Sequence, residues 1–256
     1  MSKDILYTRE GQVGKITLNR PQLGNSLDLN TIRSLIDAFK QSDANGDVCV
    51  IYTAKGKDFT YGADLKYGHR LLTEPGGLEE AVEFQAAFQD LTRAMRIHGG
   101  ILIAGLKGLV IGGGFEICLS CDLRIAARDT TLMLPELALG TMFSNATTKL
   151  LPRIVGEGRA KEILLLAKNL SAKEAYTIGL VNQLCEPDEL DALLDQYTKE
   201  LTEKEPYALK TAKQLINSNQ DIDIESTLEK EQVAMINCGI SKGFKTRLKA
   251  FVEKNK

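Results

Sequence analysis

Three consecutive glycines, Gly112-Gly113-Gly114, stand directly before the apolar run Phe115-Glu116-Ile117-Cys118-Leu119, and this junction restricts the chain more than any other stretch. A backbone without Cβ atoms turns sharply and lets another group come close to its N–H groups. The run that follows predicts the start of a buried helix, so the glycines fall where the first N–H groups have no intrahelical partner. Such a terminus attracts negative charge, and it places Glu116 in a first turn where the helix dipole favours an ionised carboxylate. Glycines ahead of a helix also permit close packing, and the triplet alone does not separate the two readings.

Around this junction the sequence predicts alternating strands and helices. Ile5 to Arg9 and Val13 to Asn19 alternate as paired strands, with Glu10-Gly11 as their turn. Asp28-Leu29-Asn30 offers helix caps before Ile32, Leu35, Ile36 and Phe39, whose spacing is that of an amphipathic helix ending near Asn45-Gly46. Val48 to Tyr52 then reads as a continuous apolar strand, and strand, helix, strand implies a crossover with parallel pairing. Residues 67–77 show no periodicity and predict an irregular, mobile segment bordering a pocket. A helix over about 78–97 is followed by strands at Ile101–Ala104 and Leu123–Ala127, on either side of the glycine-started helix. Ser171 with Glu174 forms a capping box, Gly179 stops that helix, and Val181 to Cys185 is a short strand. From Glu189 onward nearly everything is helix-forming, with apolar faces at Leu193, Leu194, Tyr197 and Leu201 and at Leu209, Ala212, Leu215 and Ile216. Such faces must cover something, either this chain's own core or another subunit.

Composition narrows the function. At 43% hydrophobic and 26% charged residues with a formal charge of -2, the chain is an ordinary globular protein. Its lysines are scattered, without the basic stripe of a nucleic-acid binder, and no apolar run reaches the ~18 residues of a membrane span. The opening Ser2-Lys3-Asp4-Ile5-Leu6-Tyr7 passes straight into strand-like sequence, so the reading is cytoplasmic, with no nucleic acid and no membrane as partner. Five scattered cysteines read as reduced thiols; Cys118 and Cys121 lack a second pair to complete a metal site.

Glu116 and Glu136 are the residues with chemistry to offer. If the chain returns between them, two carboxylates face one site and can hold and polarise a water molecule, one taking a proton and the other giving one. Each alone reads more readily as a solvated carboxylate at a helix end beside an apolar segment.

Gly112-Gly113-Gly114-x-Glu116, Cys121 to Ala126 and Leu134-Pro135-Glu136-Leu137-Ala138-Leu139-Gly140 together resemble the enoyl-CoA hydratase/isomerase family, the crotonase superfamily. Asn19-Arg20-Pro21…Asn25-Ser26-Leu27, Gly62-Ala63-Asp64-Leu65-Lys66, Leu151-Pro152-Arg153 and Ala250 to Lys254 are similar to that family's motifs in the same order. The resemblance implies an α/β fold: a crotonase-like spiral of repeated β-β-α turns over residues 1–188 with the CoA-ester site, and a C-terminal helical trimerisation region over 189–256. It implies an acyl-CoA thioester as substrate, a homotrimer or homohexamer, no metal, and no cofactor, because CoA is part of the substrate. The implied reaction is hydration of a 2-trans-enoyl-CoA through an oxyanion-stabilised enolate. The alternatives are another crotonase-type reaction, namely isomerisation, decarboxylation or C–C hydrolysis, or a CoA- or RNA-binding relative without chemistry. Carried over by residue, Glu116 and Glu136 are catalytic, the N–H groups of Ala63 and Gly113 form an oxyanion hole, and Gly62, Asp64, Leu65, Lys66, Gly112 and Ser144 bind substrate. Phe251 and Lys254 match positions that meet the adenine and phosphate end of CoA, often across a subunit boundary; as residue types, Lys66, Phe251 and Lys254 equally suit an ordinary surface.

The chain departs from the family pattern at Phe143-Ser144-Asn145-Ala146, where a glycine run is usual. The expectation is that this segment begins a helix capped by Ser or Asn, keeps the backbone donor at Ser144, and with Phe143 and Tyr61 narrows the acyl pocket.

Overall fold

The computed structural model describes residues 3–254. β1 (Ile5–Glu10) and β2 (Val13–Leu18) form the expected antiparallel hairpin. α1 (Leu29–Ala44) starts at Asp28, whose carboxylate accepts from the Thr31 N–H and so satisfies one donor the helix cannot. Its face of Ile32, Leu35, Ile36 and Phe39 is buried. This helix carries the chain across the sheet, and β3 (Cys49–Ala54) pairs parallel with β2, as a crossover requires.

Residues 67–77 are not irregular. α2 (Leu65–Thr73) occupies most of the segment, and α3 (Gly77–Ile97) follows. The Asp64 carboxylate accepts from the N–H groups of Lys66 and Tyr67, each at 3.0 Å. The Tyr67 ring meets Phe84 edge-on at 5.1 Å, and its hydroxyl donates to Glu80 at 2.6 Å. Leu71 is the one buried residue of α2, so the helix is held by its cap and by the contacts of Tyr67 with α3, which a reading of local periodicity does not report.

The remaining strands build a spiral. β4 (Ile101–Leu106) lies parallel to β3, then β5 (Leu109–Ile111) enters a second sheet and α4 (Gly113–Cys118) follows. β6 (Leu123–Ala127) returns beside β4, and β7 (Thr131–Met133) beside β5. Each of these turns therefore leaves one strand in each sheet before its helix. α5 (Thr147–Val155) and α6 (Glu157–Leu165) precede β8 (Leu170–Ser171), which closes the small sheet against β7. α7 (Ala172–Thr177) begins at the expected capping box of Ser171 and Glu174, and β9 (Gln183–Cys185) extends the large sheet beside β6. The large sheet runs β1-β2-β3-β4-β6-β9 and the small one β5-β7-β8.

Both faces of the large sheet are covered, which is why β3 and β4 read as unbroken apolar runs. On one face Val50, Tyr52, Leu102 and Ala104 join the main core with Phe39, Phe88 and Phe115. On the other, Cys49, Ile51, Ile101, Ile103 and Ile125 meet Leu190 and Leu194 of α8 (Leu190–Thr202). The first apolar face beyond Glu189 is thus enclosed by the chain itself. α9 (Pro206–Ser218) is tied down by Lys213, whose Nζ lies 2.7 Å from both the Gly100 carbonyl and Asp122 Oδ2. α10 (Ile224–Ile240) and α11 (Lys242–Lys254) bury no residue. Among the described residues no helix is long and apolar enough to cross a membrane.

Candidate active site

The site forms where the segment after β3 is drawn against the β5–α4 junction. Thr60 bridges Val110, and Leu27 bridges Ala63. Leu27 bonds to the residues on either side of Ala63, its N–H to the Gly62 carbonyl at 2.8 Å and its carbonyl to the Asp64 N–H at 2.9 Å. The Ala63 N–H therefore faces away from that bridge, and among the described residues neither it nor the Gly113 N–H has a hydrogen-bond partner. Gly62 holds φ +79°, and a Cβ there would lie 2.5 Å from the Ile111 carbonyl oxygen and 3.3 Å from the Gly113 nitrogen. No other residue lets the two segments approach so closely.

The glycine triplet serves both of its possible purposes. A Cβ on Gly114 would come within 2.1 Å of Thr60 Cγ2, and one on Gly113 within 2.9 Å of the Phe88 ring, so these two permit packing. Gly112, at φ +55°, makes room for chemistry: a Cβ there would stand 2.8 Å from Glu136 Oε1.

Glu116, on α4, is 2% exposed. Its Oε2 accepts from the Ser144 N–H at 2.6 Å and from the Thr147 hydroxyl at 2.5 Å, while the Ser144 hydroxyl lies 3.5 Å from Oε1. Burial pushes its carboxyl up to about 7, the hydrogen bond from Thr147 pulls it back, and the neighbouring Glu136 pushes the same way as burial. The helix dipole predicted an ionised group; desolvation outweighs it here. Glu136, after β7, is 8% exposed and is also raised by burial. Its Oε2 is buried and has no hydrogen-bond partner among the described residues.

Both carboxylates line one cavity of about 130 Å³, together with Ala63, Ile111, Gly112, Gly113, Pro135 and Ser144. Its more open side carries Tyr61, Leu65, Gln85, Leu139 and Met142. A larger groove of about 490 Å³ runs between α9 and α10, but its lining includes Glu229 and Lys230 on exposed helix faces and no buried carboxylate. Volume does not decide between the two; convergent buried carboxylates, both made weaker acids by burial, choose the cavity at α4.

The enoyl-CoA hydratase/isomerase family model matches residues 8–256. The chain belongs to the enoyl-CoA hydratase/isomerase family. It is 32% identical over 255 residues to the short-chain-enoyl-CoA hydratase of Clostridium acetobutylicum, covering 99% of this chain and 96% of that one. It is 31% identical over 256 residues to the crotonyl-CoA hydratase of Syntrophomonas wolfei, covering 99% and 96%. The crystal structure of an enoyl-CoA hydratase from Bacillus anthracis superposes with a TM-score of 0.92 at 30% identity, covering 98% of this chain and 97% of that one. The spiral of β-β-α turns is thus the crotonase fold of this family.

The family resemblance marked more residues than the cavity gathers. Ala63, Leu65, Gly112, Gly113, Glu116, Glu136 and Ser144 line it, and Gly62 is buried directly behind. Asp64 does not: its carboxylate is spent on capping α2. Lys66 on α2 and Phe251 and Lys254 on α11 are exposed and do not line it either. Phe143 is half-buried against the main core, and Met142 is the side chain that lines the cavity. The helix expected to begin within 143–146 begins at Thr147, its N-cap is Ala146, and no side chain caps it. Asn145 and Ala146 sit at φ +51° and +57°, a left-handed turn directly before the first residue of α5. Thr147 went unmarked because its contact with Glu116 spans 31 residues, and no spacing rule reports such a contact.

Proposed function

We propose that this enzyme is an enoyl-CoA hydratase that adds water to the C2=C3 double bond of a 2-trans-enoyl-CoA and, in reverse, dehydrates the 3-hydroxyacyl-CoA. The observation that carries this reading is the pair Glu116 and Glu136 on one small cavity, both carboxyls held above the ordinary range. A carboxyl near 7 gives and takes a proton with nearly equal ease at neutral pH. The unpartnered Oε2 of Glu136 supplies an acceptor for the attacking water. As water adds at C3, negative charge gathers on the thioester oxygen, and the unengaged N–H groups of Ala63 and Gly113 are the donors for it. Losing one such donor typically costs about 2.7–4 kcal/mol of transition-state stabilisation.

The reaction uses no separate cofactor, since CoA travels with the substrate and the protons come from water. The small cavity and the short-chain and crotonyl relatives support a short acyl group. Lys66, Phe251 and Lys254 meet the adenine and phosphates of CoA, the last two from an adjoining subunit of a trimer or hexamer. The five free cysteines, four of them buried, suit the reducing cytoplasm.

Loss of crotonyl-CoA absorbance tests the reading. Wild type consumes the enoyl absorbance, whereas Glu116→Gln and Glu136→Gln each lower turnover by roughly 10²–10⁴-fold and leave calorimetric binding of a CoA ester within about threefold. Near wild-type turnover in either variant defeats the two-carboxylate mechanism. A wild type that binds enoyl-CoA esters and hydrates none belongs to another crotonase-type reaction.

A further inference from the structure

The loop that closes the cavity also selects an oxygen. Thr147 is 1% exposed, and its hydroxyl shares Glu116 Oε2 with the Ser144 N–H. A carboxylate oxygen has two lone pairs, and on Oε2 both are engaged. A proton reaching Glu116 therefore goes to Oε1. The Ser144 hydroxyl stands 3.5 Å from Oε1 and accepts from Asn145 Nδ2 at 2.9 Å. The loop itself is braced: Asn145, 1% exposed, accepts at Oδ1 from the Thr92 hydroxyl of α3 at 2.8 Å. Left-handed backbone at Asn145 and Ala146 persists because this network over-determines it.

We propose that Thr147 is a positioning residue: with the Ser144 N–H, its hydroxyl immobilises Glu116 Oε2 and so designates Oε1 as the oxygen that exchanges the proton with water or substrate. The role in turnover rests on the hydratase reading; the hold on Glu116 does not. The charge acting on Glu116 is that of Glu136, reaching in from the segment after β7. The other titratable group lining the cavity, Tyr61, is raised by its hydrogen bond to Asp58 and stays neutral through the range in question.

Thr147→Val keeps the branched shape and removes the donor. On crotonyl-CoA, kcat falls roughly 10- to 100-fold, as expected for a misplaced catalytic group, with KM within about threefold. The acid limb of the kcat–pH profile moves up by about one pH unit, because the lost bond favoured the carboxylate. Thr147→Ser restores both. Independently of turnover, ¹³C-carboxyl glutamate NMR, with Glu116 assigned through Glu116→Gln, shows its titration about one unit higher in Thr147→Val, a tenfold change in proton affinity, and returned by Thr147→Ser. Thr147→Ala gives the same readout if the valine variant does not fold. An unmoved Glu116 titration in a folded variant lacking the hydroxyl overturns the proposal, as does a loss of kcat that serine does not recover. A wild type that hydrates no enoyl-CoA while its Glu116 titration responds to Thr147 as described refutes the hydratase reading and leaves Thr147 in place. A hydrating wild type whose Glu116 ignores Thr147 does the reverse.

Discussion

Glu116 is a carboxyl that the fold makes less acidic than water does, and that choice costs stability. Its ordinary value is 4.5, and in the folded chain it is raised to about 7. Between these values the folded protein keeps a proton that the unfolded chain releases. The contribution is fully present below 4.5 and is lost as pH rises through 7, a loss of roughly 3 kcal/mol once pH is above 7. Glu116→Gln has no proton to lose and still offers an oxygen to Ser144 and Thr147. Urea denaturation at pH 8 is therefore expected to find the glutamine variant more stable by roughly that amount, with the gap closing toward pH 4. A gap of constant size across that range would mean that Glu116 titrates as an ordinary glutamate.

At the scale of elements, the site depends on how short helices begin. α4 begins at glycine, because only glycine lets Gly62 and Gly112 stand against a carbonyl oxygen and a carboxylate. α2 begins at Asp64, directly after Ala63, so the cap that starts the helix adjoins the segment whose N–H the Leu27 bridge turns outward. Asp64→Ala is expected to lower stability by about 1 kcal/mol, the usual worth of such a cap, and to raise KM for the enoyl-CoA because the donor segment loosens. Asp64→Asn keeps a side-chain acceptor and recovers most of the stability. Denaturation and steady-state kinetics on the two variants check this. An alanine variant as stable as wild type removes the capping role, and one with altered kinetics alone returns Asp64 to substrate binding.

For the whole molecule, a concentration of exposed apolar residues lies at the C-terminal end. Ile224, Leu228, Val233, Met235, Ile236 and Ile240 of α10 and Phe244, Leu248 and Phe251 of α11 are exposed large hydrophobic residues, more than a free monomer ordinarily leaves in contact with water. Light scattering is expected to return three or six times the 28.1 kDa chain mass. Leu228→Asp combined with Ile236→Asp is expected to shift the population to monomer while leaving the spiral core folded by circular dichroism. A wild type that is monomeric at micromolar concentration defeats the trimer.

Legible in the order of residues were the features that local rules govern. The hairpin at Gly11, the capped start of α1, the apolar strands β3 and β4, the Ser171–Glu174 box and the glycine-started α4 each depend on residues a few positions apart. The family motifs added the pairing of Glu116 with Glu136 across 20 residues. What only tertiary structure decided arises from groups far apart in the chain. Ser144 and Thr147 reach Glu116 over 28 and 31 residues, and Thr92 reaches Asn145 over 53. Whether α8 covers the sheet or a neighbour, whether Met142 or Phe143 faces the cavity, and whether Glu116 is ionised or poised near neutrality all turn on burial. Burial is a property of the assembled chain: desolvation depends on every element packed around a group, and no spacing within one element encodes it.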